Sequence, residues 1–453
     1  MKSKLQSAAR ALLCLCALLM GGIVAGYLLL VVAYALPTAR IAHNVRLSVQ
    51  SLDGSWETGE IPYEQLVKGY LTAQLDNTTD ATMLLAAAHQ NDQPLLQRAA
   101  NVPTYTYHGM YSALIEYGQT GTANLRSANS ARYWLGFLVW LKPLLIVASY
   151  MDIRIMLMGA QLLLLCAVVA AMAHRRLVRA VPALAVALLA ITPAVVGFSI
   201  QFSSVYTLML LGMLTLLLCP RLAGTGLPIA AFFLLTGMAT SYFDYLTYPV
   251  ATFGLPFLTA LLLRPAASIR QGLTRFVMLL AAWLAGYFGM WAGKWVIAAL
   301  FGGDPWFWPN LLAKVAQRGA MQSEGAPLTL AGVYASVLRV FAKRGYLLPA
   351  AALGAAYAVL LARLAVRRTR RAGRSAPLTP VARGAWRSTC PAVALTGLLP
   401  FVWYACTANH TVNHTFFTSR ALVVSGFALA LLLCAPFLPL TDRHGETPPP
   451  PKA

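Results

Sequence analysis

The chain has 453 residues, of which 58% are hydrophobic and 11% charged, and its mean hydropathy is +0.64. That composition excludes an ordinary soluble domain and predicts an all-α polytopic membrane protein, a single integral membrane domain over residues 1–453. The formal charge of +21 does not indicate nucleic acid, because the basic residues stand in short clusters at helix ends, as membrane topology requires, and not on one face of a soluble fold.

Lys2, Lys4 and Arg10 precede an apolar run from about Ala11 to Leu36. The run is long for a signal-peptide core and no clear A-x-A site follows, so an uncleaved first span with a cytoplasmic N-terminus is expected. Residues 37–152 then form a large first extracytoplasmic loop with interfacial helices. Ahead of the apolar stretch 134–150 it holds Asp53, Glu57, Glu60, Glu64, Asp76, Asp80, Asp92 and Glu116, eight of the fourteen acids. Within it, 134–150 is apolar, yet a crossing there would put His174, Arg175, Arg176 and Arg179 outside. The positive-inside rule therefore makes 134–150 an interfacial or re-entrant helix and 153–173 the second span.

Further spans are expected over 180–199, 205–219, 226–241, 247–263, 276–299, 346–366, 389–407 and 421–440. This gives about ten transmembrane helices with both termini cytoplasmic. A second outer loop covers 301–345, a basic cytoplasmic loop near anionic membrane lipid covers 367–387, and a cytoplasmic tail covers 441–453. The seven cysteines fall in or near apolar spans, which argues against disulfides and against a cysteine-ligated zinc.

The cytoplasmic segments carry no P-loop, no G-x-G-x-x-G after a strand and no paired acids, so chemistry is expected on the outer side. In QLDNTTDATMLLAAAH, Asp76 and Asp80 are four residues apart. On a helix they could share a face and hold a divalent cation, or one could serve as a general base tuned by its neighbour. The plainer alternative is that one caps the helix and the other is solvated. In TANHTVNHTFFTSRAL, His410 and His414 are spaced i, i+4 and Arg420 opens the last span. They offer contacts for a lipid-borne phosphate, a metal site lacking the HExxH glutamate, or packing at a helix end. Asp244, in SYFDYLTYP, could meet a polar substrate or sit in an aromatic belt, and GDPWFWPN reads as an interfacial anchor or a platform for sugar rings. Lys343 and Arg344, together with Lys314, Arg318 and Arg339, form a basic excess on the outer side that suggests an anionic ligand.

This plan resembles the GT-C superfamily of polytopic glycosyltransferases. The resemblance rests on Asp76 and Asp80 after the first span, the helix behind them, and the interfacial segment ARYWLGFLVWLKPLL. The last segment, SYFDYLTYP and NHTVNHTFFTSR also resemble an uncharacterised group of bacterial cell-envelope membrane proteins. The resemblance implies a bacterial cytoplasmic membrane location and a polyprenyl-phosphate-linked sugar as donor. It further implies a glycan or lipid acceptor and an acidic catalytic residue in the first loop. Asp53, in SLDGSWETGE, lies nearer the superfamily's usual distance behind the first helix and joins Asp76 and Asp80 as a candidate base. His410, His414, Arg420, Asp244, Lys343 and Arg344 become candidates for holding substrate and its phosphate. No cofactor is assigned beyond an optional divalent cation on Asp76 and Asp80. Two rival readings stand beside this one: a flippase or transporter for a glycolipid or polar solute, and a polysaccharide polymerase or ligase. A transporter should place ionisable groups near the bilayer midplane, where Lys294 is the serious candidate.

Overall fold

The computed structural model describes residues 2–51, 65–88, 93–101, 103–105, 110–121, 127–129, 131–371 and 380–434. It is an all-α membrane protein. Among the described residues, six helices are long and apolar enough to cross a bilayer: Gln6–Ala35, Tyr150–His174, Ile200–Leu218, Ile269–Phe301, Trp386–Cys406 and Thr415–Leu433.

The first helix, α1 (Lys2–Ala35), ends just before Pro37, which supplies no N–H and biases its predecessor out of helical geometry. The chain restarts as the amphipathic α2 (Thr38–Ser51), followed by α3 (Asn77–Ala88), α4 (Leu95–Asn101), α5 (Met110–Thr120) and α6 (Leu138–Val147). A short antiparallel pair, β1 (Pro103–Tyr105) with β2 (Ser127–Asn129), lies among them. These pieces form a layer whose core (Ile41, Val45, Leu84, Leu114, Trp134, Phe137) merges with side chains of α1 such as Leu30 and Tyr34. The apolar stretch 134–150 yields only the ten residues of α6, too short for a hydrocarbon core of roughly 30 Å. Ser149 and Asp152 then build a reciprocal capping box that starts α7 (Tyr150–His174).

The span expected over 180–199 is two pieces, α8 (Val181–Leu188) and α9 (Pro193–Val196). Thr192 sits at φ +55 between them, because Pro193 cannot continue the α8 hydrogen-bond ladder and instead opens a new turn. Then come α10 (Ile200–Leu218), α11 (Leu227–Phe243), α12 (Val250–Leu263) and α13 (Ile269–Phe301). Helices α11 and α13 approach so closely that a Cβ on Gly237 would stand 2.1 Å from the Trp283 carbonyl oxygen, and one on Gly286 2.0 Å from that of Leu234. Small residues at a helix crossing permit this backbone contact in lipid.

Beyond α13 lie the amphipathic α14 (Phe307–Gly319), a small hairpin of β3 (Gln322–Ser323) and β4 (Ala326–Pro327), and α15 (Leu330–Arg339). The chain closes with α16 (Arg344–Arg371), α17 (Pro380–Cys406), the short α18 (Ala408–Asn413) and α19 (Thr415–Thr418), and α20 (Leu422–Cys434). Of the loop expected over 367–387, residues 367–371 belong to α16, which continues to Arg371, and 380–387 belong to α17, which starts at Pro380. Residues 372–379, the tail 441–453 and the candidate base Asp53 lie outside the described residues. The ends of α1, α11 and α13 and the starts of α7, α10, α16 and α20 meet the α2–α6 layer at one end of the bundle. Every described candidate residue gathers there.

Candidate functional site

Asp76 stands just before α3 and supplies its cap: the Thr79 N–H donates to Oδ1 at 3.0 Å and the Thr79 hydroxyl to Oδ2 at 2.8 Å. The local sequence D-N-T-T, Asp76 to Thr79, encodes this turn. Asp76 is 4% exposed, and burial raises its carboxyl to about 6, opposed by the two Thr79 bonds and by Arg420 and reinforced by the Asp80 charge.

Asp80, one turn further along, has a different environment. Its carboxylate receives the backbone N–H groups of Ile200 and Gln201, each at 3.1 Å, at the start of α10. The hydroxyls of Tyr150 and Ser199 donate as well, and Arg154 pairs with it at 3.6 Å. A carboxylate at a helix N-terminus complements the unpaired amides and the positive end of the dipole. Arg154 also donates to Asn77 at 2.8 Å and lies over the Tyr150 ring at 4.2 Å. Asp80 is therefore a fully subscribed tie between α3, α7 and α10.

Arg420 is 0% exposed. Its guanidinium donates to the carbonyls of Ile191 at 3.2 Å, Thr72 at 3.0 Å and Phe416, and stacks on Phe202 at 4.1 Å. It knots together the α8–α9 break, the segment before α3 and the start of α20. Lys343 and Arg344 lie exposed on the rim of this knot, where the Gly345 N–H donates to the Tyr70 hydroxyl at 3.1 Å.

Asp244 ends α11 and holds the next turn, taking the Thr247 N–H at 3.1 and 3.0 Å and the Thr247 hydroxyl at 2.6 Å. Burial raises its carboxyl to about 7 against those bonds. The turn places Leu246 at φ +64, a strained region for a branched side chain. Leu246 exposes its carbonyl to His410 Nε2 at 2.9 Å, so the proton of His410 is assigned to Nε2. His414 packs 4.8 Å from His410 and stacks on Phe417 at 5.1 Å. Burial lowers His410 to about 3, with help from His414 and Arg318. It lowers His414 to about 4, again with help from Arg318. Both rings are neutral at pH 7, so neither brings positive charge to a phosphate.

Asp76 and Asp80 spend their oxygens on different donors, and among the described residues no group of three His, Cys, Asp or Glu side chains could hold a metal. Lys294 is buried with Nζ donating to the carbonyls of Ala99 at 3.2 Å and Ala100 at 2.7 Å, where it closes the end of α4.

Sequence reasoning read Tyr245 only as one of the tyrosines flanking Asp244 and gave Tyr133 and Arg132 no role of their own. Tyr245 stacks on Tyr133 at 4.5 Å. Burial raises its hydroxyl to about 12, while Arg132 opposes and Asp76 reinforces the rise, so Tyr245 stands within electrostatic reach of both. The guanidiniums of Arg132 and Arg318 each lie 5.2 Å from the Tyr133 ring centre. No local motif marks this arrangement, since its members are nearly two hundred residues apart.

No protein-family model, curated protein or solved structure matches the chain.

Proposed function

We propose that the protein is a GT-C-like glycosyltransferase with about ten spans, both termini cytoplasmic, acting on the extracytoplasmic face of a bacterial cytoplasmic membrane. It moves a sugar from a polyprenyl phosphate to a cell-envelope glycan or lipid. The observation that carries this reading is Asp76: a buried carboxylate held by one residue, Thr79, with a proton affinity near 6 and a stacked tyrosine pair within its field. A carboxylate poised that close to neutral pH suits a general base.

In the proposed reaction the acceptor hydroxyl oxygen attacks the anomeric carbon while its proton passes to Asp76. The bond from that carbon to the phosphate oxygen breaks, and the electron pair leaves with the polyprenyl phosphate. Attack from the face opposite the phosphate inverts the anomeric centre. Asp80 is assigned a positioning part, since its donors fix the start of α3 against α10 and so fix Asp76. Arg420 is assigned a similar part through Thr72. The transport reading is less favoured because Lys294 is spent on the α4 carbonyls.

The test is turnover by the purified protein in nanodiscs with a panel of polyprenyl-phosphate sugars, followed by release of the lipid phosphate. Sugar-dependent release that Asp76→Asn abolishes supports the reading, and release that survives Asp76→Asn unchanged removes Asp76 as the base.

A further inference from the structure

Arg132 and Arg318 are two half-buried guanidiniums gathered on one tyrosine ring. Arg132 disfavours the charge of Arg318, which is lowered to about 10, by burial first and by Arg132 second. Among the described residues neither meets a carboxylate, the one ion pair being Arg154 with Asp80. The Arg132 Nε is buried with no hydrogen-bond partner at all. Like charges held together, half-buried and without an acid are costly unless an anion joins them.

The pair is also built rigidly. The Arg132 carbonyl accepts the Trp295 indole N–H at 3.2 Å, and its neighbour Ala131 packs with Ala298, Phe307 and Leu311 at the base of α14. A cleft of about 400 Å³ opens beside it, lined by Arg132, Asn310, Lys314, Gln317 and Asp304. Asp304 is the one acid there, and its Oδ1 accepts the Trp306 N–H at 2.9 Å in the turn before α14. Arg318 extends the positive field from the same helix.

Helix α14 has three faces. Phe307 and Leu311 point into the protein, and Asn310, Lys314 and Gln317 line the cleft. Trp308, Leu312 and Val315, at i, i+4 and i+7, are 46%, 63% and 46% exposed. An exposed apolar stripe beside a polar face is the signature of a helix lying in the membrane interface. The cleft therefore opens where lipid head groups meet water.

We propose that Arg132 and Arg318, with Lys314 at the rim, bind the phosphate of an amphiphile that enters along α14 from the membrane interface. The donors are chemically suited, since guanidiniums pair with phosphate oxygens in a bidentate way and an ammonium adds a point charge. The site goes beyond the transferase reading and does not require it: a transporter or polymerase handling the same lipid phosphate would use it equally.

The test is calorimetric titration and thermal shift of the full chain in phosphatidylcholine nanodiscs, with decyl phosphate, inorganic phosphate and decanol as probes. Saturable binding of decyl phosphate is expected. Arg132→Gln and Arg318→Gln should each weaken it roughly tenfold or more, and Arg318→Lys should recover part of the loss. Lys314→Gln, on the exposed rim, keeps the test open should either arginine variant fail to fold and is expected to weaken binding about threefold. The exposed Arg339→Gln should bind as the wild type does, and because the readout is binding without turnover, failure of the site and failure of the transfer reaction are separable. Tighter binding of decyl phosphate than of inorganic phosphate supports an amphiphile, and equal binding overturns that part of the proposal in favour of a free phosphate. The proposal is overturned if neither phosphate saturates, if decanol binds as well as decyl phosphate, or if the glutamine variants bind like the wild type.

Discussion

Asp76 and Asp80 lie one helical turn apart at the start of α3, and their carboxylates have unequal company. Asp76 has the N–H and hydroxyl of Thr79, whereas Asp80 has two α10 amides, two hydroxyls and Arg154. One acid is free to change protonation; the other is bound into the fold.

That difference predicts opposite phenotypes. Asp76→Asn keeps an oxygen for the Thr79 cap, so the protein should fold and hold its Tm within a few degrees while turnover falls about 10²–10⁴-fold. Asp80→Asn sets an amide donor against donors that lose their charge partner, and should cost about 3–5 kcal/mol. Thermal unfolding of both variants in detergent, beside turnover, checks the pair of outcomes.

The proton affinity of Asp76 gives a pH dependence. With its carboxyl near 6, turnover should climb as pH rises through about 6 and level off above it, because the base works only when ionised. Asp244 lies near 7 but is enclosed by Thr247. Asp244→Asn should leave the ascending limb in place, and Asp76→Asn should remove it together with the activity. A pH–rate profile of wild type and Asp244→Asn decides this.

The histidine pair contributes to stability with the opposite sign to the raised acids. Folded values near 3 for His410 and 4 for His414 lie below the unfolded value of about 6.5. The native state therefore binds fewer protons than the unfolded state, and its stability falls as pH drops from about 6.5 toward 4. His410→Gln should flatten that fall in Tm between pH 6.5 and 4, and an unchanged slope would show that His410 does not titrate on unfolding.

The crossing of α11 and α13 leaves no room for a side chain at two positions. A Cβ at Gly237 or Gly286 meets a backbone oxygen near 2 Å, and backbone cannot yield as a flexible side chain does. Gly286→Ala should lower stability by about 1–3 kcal/mol or more through forced helix separation. Thermal unfolding measures it directly, with Gly354→Ala, where nothing stands within 4 Å, as the control.

The helices were legible in the chain wherever apolar length or a breaker decided them. The run ending at Pro37 became α1 and the charge argument separated α6 from α7, while the alternative that one acid of the pair caps α3 left open which of Asp76 and Asp80 it was. The break at Thr192 went unread because hydropathy is blind to Pro193 inside an apolar run. The role of Asp80 was not legible, since its α10 donors are 120 and 121 residues away. The neutrality of His410 and His414 follows first from burial and then from nearby positive charge such as that of Arg318, which i, i+4 spacing does not report. Arg132 and Arg318 converge only because α14 folds back on Ala131.

The most direct measurement of the central claim is release of polyprenyl phosphate from a panel of polyprenyl-phosphate sugars, with wild type and Asp76→Asn compared in nanodiscs. The account predicts release that requires the sugar donor and an acceptor, and its loss in Asp76→Asn while that variant remains folded. No release from any donor, with the wild type folded and every acceptor class supplied, would contradict the transferase reading and leave lipid flux across liposomes as the activity to measure.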